Sequence, residues 1–90
     1  MNVDLEQWIG HSVAHVLHAC GTRYDEVVAI DEPPGKLRAV EFVCHGAEPP
    51  RRLRVRFAYD ARLFSSARHW PEALVESQTV IAVESVGGAR

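Results

Sequence analysis

The chain has 90 residues, 47% of them hydrophobic and 24% charged, with a formal net charge of −2. That length suits one modest core, and the composition is that of a globular chain, which excludes a low-complexity polymer or a general polyanion binder. No run approaches the ~18 consecutive apolar residues of a membrane span, and Met1-Asn-Val-Asp-Leu-Glu has no basic and apolar leader pattern. The expectation is therefore a single domain over residues 1–86, a frayed tail at 87–90, and a cytoplasmic location.

Charge is unevenly spread. Residues 1–35 hold six acids and one base (−5), whereas residues 36–68 hold eight bases and three acids (+5). Such segregation either pairs internally or leaves a basic patch on an acidic body.

In chain order, the first predicted element is a helix from about Asp4 to Cys20. Leu5, Trp8, Ile9, Val13, Val16, Leu17 and Cys20 follow helical spacing in one apolar stripe, which only Ser12 interrupts. Asp4 is placed to cap its start, and Gly21 to end it in a left-handed C-cap. A first strand is expected over about Tyr24–Asp31. Pro34 and Gly35 suit the centre of a type II turn, and a second strand follows over about Lys36–His45.

The third strand is the clearest. Residues 51–59 alternate arginine and hydrophobe, which sends Leu53, Val55, Phe57 and Tyr59 to one face and Arg52, Arg54 and Arg56 to the other. Matching apolar residues across the hairpins sets Ala29 against Val40, Val40 against Phe57, Phe42 against Val55, and Glu41 against Arg56. A short helix from Asp60, a turn through Pro71 to Val75, and a fourth strand over Thr79–Val86 complete the chain. The predicted fold is α+β: an N-terminal amphipathic helix packed on a four-stranded antiparallel sheet, in the order α-β-β-β-α-β with a three-strand meander. That order recurs in unrelated small domains, so it assigns no function.

Chemistry-bearing motifs are few. His11, His15 and His18 fall on the outer side of the first helix at a spacing that can approach one metal ion, but no fourth ligand is evident and no physiological metal or other cofactor is expected. Ser65, Ser66 and His69 lack a positioned acid, and Cys44 and His45 point apart in a strand, so no enzyme is expected. Cys20 and Cys44 lack a redox spacing and are read as buried free thiols. Trp70 reads as a core anchor.

The outer sheet face carries the strongest functional signal. Val28, Ile30, Glu41, Val43, Arg52, Arg54 and Arg56 mix hydrophobes with arginine, the composition of a protein contact. The expected function is a non-enzymatic binding domain that associates with a protein partner or a second copy through this face. Nucleic acid on the arginine strand is the disfavoured alternative, because the strand aromatics Phe42, Phe57 and Tyr59 are all expected to point into the core and leave no stacking platform. Metal binding by the histidines is the other. Whether residues 60–78 cover the face decides the matter.

Overall fold

A computed structural model describes residues 4–86. It is an α+β fold built on one antiparallel sheet of β1 (Val28–Asp31), β2 (Leu37–Cys44), β3 (Arg51–Phe57) and β4 (Val80–Ser85), in that spatial order. Two helices, α1 (Val13–Cys20) and α2 (Glu72–Glu76), pack together on one side. The meander runs through all four strands, so it extends one strand beyond the expected three. The predicted tail at 87–90 lies outside the described residues.

The expected first helix is two pieces. A 3-10 turn covers Leu5–Trp8, capped by Asp4, whose Oδ1 accepts from the Glu6 amide at 3.1 Å. The chain then turns at Gly10, at φ +93°, where a residue with a Cβ is strained. The Gly10 amide donates to the Val80 carbonyl, and the Val80 amide donates to the His11 carbonyl, so this stretch borders β4 instead of coiling. Ser12 is the N-cap of α1, its Oγ accepting from the His15 amide at 3.1 Å. The polar interruption in the stripe is thus a helix start. Gly21 ends α1 in the left-handed region, as expected.

The first turn follows its sequence. The Lys36 amide donates to the Pro33 carbonyl with Gly35 at φ +90°, the geometry of a type II turn. A Cβ on Gly35 would lie 3.0 Å from the Ser65 carbonyl oxygen. Upstream, β1 begins only at Val28, because Tyr24–Glu26 form a 3-10 turn where strand was expected.

Ala29 faces Val40, as expected. The second hairpin is shifted by two residues: Val40 faces Val55, Phe42 faces Leu53, Glu41 faces Arg54, and Cys44 faces Arg51. The shift lengthens the ladder to the end of β2 and shortens the loop. Being an even number, it leaves the paired side chains of β2 and β3 on their expected faces.

The inner face is sealed. Val40, Phe42, Cys44, Leu53, Val55 and Phe57 are buried together with Val13, Val16, Leu17 and Cys20 of α1. Val27 packs at the margin of this core and Ala29 is exposed, since β1 is an edge strand. Cys20 and Cys44 form a disulfide rather than remaining free thiols. Each ends its element, and packing α1 on β2 brings the two ends together. The Gly46 amide also donates to the Cys20 carbonyl at 2.9 Å, and the Thr22 hydroxyl donates to the Val43 carbonyl at 2.7 Å.

Residues 60–78 wrap around the inner side and one end of the sheet. Asp60 caps a 3-10 turn at Ala61–Leu63 instead of a longer helix; Leu63 is buried and Phe64 exposed. Trp70 is the expected anchor, its Nε1 donating to the Leu63 carbonyl at 2.6 Å. Pro71 then opens α2.

Candidate functional site

Strand pairing places the seven candidate residues on one surface. Val28, Glu41, Arg54 and Glu84 form one row across the four strands, Ile30, Ala39, Arg56 and Ala82 the next, and Val43 with Arg52 a third. Val28 is 53% exposed, Arg52 and Arg56 are exposed, and Ile30, Glu41, Val43 and Arg54 are half-buried. Leu37 and Ala39, which alternate in β2 with the same parity as Glu41 and Val43, are buried at 1% exposure, and Arg68 lines a notch with Arg54. The segment 60–78 thus reaches this face at its β1 margin and at the end where Lys36 bridges Phe64, while Val28, Arg52 and Arg56 stay exposed.

Two of the three arginines are occupied. Glu41, with 12% of its side chain accessible, accepts from Arg54 Nε at 2.7 Å and also bonds Arg54 Nη2, while Arg52 Nη1 stands at 4.0 Å from its other oxygen. The two-residue shift of register made Arg54 the partner, in place of Arg56. Arg56 turns instead to Glu84 on β4, at 3.1 Å. Glu84 was not among the expected residues, although its place in the alternation of the last strand puts it on this face. His45 Nε2 lies 2.9 Å from Glu26 Oε1.

At the β1 margin the face runs into a notch of about 320 Å³ lined by Ala29, Ile30, Asp31, Glu32, Arg54 and Arg68. Arg68 grips Asp31 with both arms of its fork, Nε and Nη2 each at 2.7 Å, and the Gly35 amide donates to the same carboxylate at 2.8 Å. These hydrogen bonds, the Arg68 pair first, hold the Asp31 carboxyl down to about 2. Asp31 thereby pins the first turn to the 65–68 segment, and that clamp fixes the margin of the face.

The other candidates do not assemble. His11 lies outside α1; its ring stacks on His15 at 4.2 Å between centroids, and no group of three potential metal ligands forms among the described residues. Ser65 Oγ accepts from the His69 backbone amide at 3.1 Å, which makes it a turn cap. A cleft of about 500 Å³ between α1 and α2 is lined by His18, Tyr24, Asp25, Glu72 and Glu76, among others. Burial, reinforced by Glu72, pushes the Glu76 carboxyl up, and burial followed by the charges of Glu72 and Glu76 pushes Tyr24 up.

Tyr59 departs from expectation. β3 ends at Phe57, and the ring lies 39% exposed at the end of the sheet. Lys36 Nζ stands 5.5 Å and Arg38 Cζ 5.9 Å from its centroid. Phe42 and Phe57 are buried as expected.

No helix of the described residues is long and apolar enough to cross a membrane. Comparison with protein-family models, with curated proteins and with solved structures finds no match to this chain.

Proposed function

We propose that the chain is a one-domain, non-enzymatic binding module that associates with protein through the outer face of β1, β2 and β3, with a second copy of itself as the occupant this face fits best. The observation that carries the reading is Val28, half exposed beside Ile30 and Val43 on a sheet surface where Arg54 and Arg56 already have carboxylates. An anion would have to displace Glu41 or Glu84, losing the electrostatic gain that polyanion binding requires. A protein surface needs no such displacement. The row Val28–Glu41–Arg54–Glu84 presents both signs, so a twofold rotation lays acid against base.

Size sets the strength. Strands ~4.8 Å apart and ~3.3 Å per residue make a face of about 350 Å², under half the ~800 Å² per partner of a standard interface. The association is therefore transient. The Cys20–Cys44 disulfide favours an oxidising compartment over the cytoplasmic location that the sequence led us to expect.

Sedimentation over a concentration series tests the reading. The expected result is a mass that rises with concentration in the wild type and stays monomeric in Val28→Glu. A wild type that remains monomeric throughout contradicts it.

A further inference from the structure

We infer that the corner around Tyr59, at the end of the sheet, is a site for single-stranded nucleic acid that adjoins the outer face only at Arg56. Its features differ from those of the arginine ladder in the respect that matters for polyanions. Lys36 and Arg38 make no ion pair among the described residues; what each has nearby is the Tyr59 ring. Beside the ring is a concavity of about 300 Å³, walled by Phe57, Ala58, Tyr59 and Ile81 with Arg38 and Arg56 at its polar side. Arg56 is engaged by Glu84, so the available cations are Lys36 and Arg38. Ile81 and Phe64 add exposed apolar surface at the same end, Phe64 lying across from Lys36.

Each part has a role in holding a strand. Tyr59 is 39% exposed and borders the concavity, so a base stacks on its ring as Lys36 and Arg38, which lie over that ring, turn to phosphate, and the apolar wall beside it receives the rest of the base. Lys36 and Arg38 are two residues apart along extended backbone, their Cα atoms about 6.7 Å apart, and so present two cations side by side to successive phosphates. A carboxylate-rich peptide would satisfy the same cations but has no use for the ring or its wall. The combination of free cations and a stacking platform favours the nucleotide strand. The chain's overall charge of −2 does not oppose this, because the segment 36–68 is locally basic.

The test is fluorescence anisotropy with a labelled oligothymidylate of about eight nucleotides. Two phosphate contacts on a single strand predict a slope of about −1.4 in log affinity against log salt, reduced by about 0.7 in Lys36→Ala or Arg38→Ala. Tyr59→Leu is expected to weaken binding roughly tenfold at an unchanged slope, and Tyr59→Phe to retain it. Val28→Glu, on the outer face, is expected to bind as the wild type does, so failure of the association surface leaves this result standing. Absence of binding at low salt overturns the inference. So does a slope that Arg38→Ala leaves unchanged, loss of binding in Val28→Glu, or displacement by polyglutamate as effective as by unlabelled oligonucleotide.

Discussion

The two faces of one sheet do opposite work with the same strands. Phe42 and Val43 are neighbours in β2, yet Phe42 is sealed beneath α1 and Val43 lies half-buried on the surface. On the inner side, shape complementarity among apolar groups holds the helices down. On the outer side, acids and arginines pair in rows around a few hydrophobes, which keeps the surface soluble while leaving Val28 uncovered. The lesson is that arginine content measures neither free charge nor stability: where Glu41 and Glu84 sit decides what the arginines can still do.

The largest effect that sharpens this contrast is expected from Phe42→Ala, at about 3–5 kcal/mol by denaturant unfolding, because the cavity opens in close-packed core. Its neighbour Val43→Ala, on the other face, is expected to cost about 1 kcal/mol. Equal losses at the two positions would break the distinction between faces. Next comes the link that ties the helix layer to the sheet. Removing the Cys20–Cys44 bond by Cys20→Ala with Cys44→Ala releases a closed loop of 24 residues' separation, and the expected loss is about 3 kcal/mol in thermal or denaturant melts.

Within the outer face, Glu41→Ala strips a half-buried Arg54 of its partner and is expected to cost about 1–2 kcal/mol. Glu84→Ala frees an Arg56 that water already reaches, and a change within about 0.5 kcal/mol is expected. The reverse order would place the critical pair at the wrong end of the row.

Acid tests the margin of the same face. Asp31 has its folded-state carboxyl at about 2, below the ~3.9 of an unfolded aspartate. Its contribution is therefore complete above the unfolded value and disappears as pH falls toward 2. An acid titration of stability is expected to show this loss between about pH 4 and 2 in the wild type and to flatten there in Asp31→Asn.

Parity was the most legible property of the chain, because alternation in residues 51–57 has only one physical reading once one face must be buried. Register was less so: Val55 and Phe57 are both acceptable partners for Val40, and a shift of two residues costs no burial. It changes which acid meets which arginine, so the site's electrostatics were misassigned while its members were found together. The helix was read as continuous because apolar spacing persists across Gly10 and Ser12; both residues were themselves the signal of a break, one by its backbone freedom and one by its capping hydroxyl. The disulfide escaped because spacing along the chain says nothing about two elements meeting at their ends. Tyr59 fits the alternation, but the strand stops before reaching it.

Association of the chain depends on the openness of the face that carries Val28. Amide chemical shifts followed over increasing protein concentration test this most directly. The predicted result is concentration-dependent movement concentrated at Val28, Ile30, Glu41, Val43 and Arg54, with α1 and the Tyr59 corner still. Shifts that do not move, or that move first along α1, would contradict it.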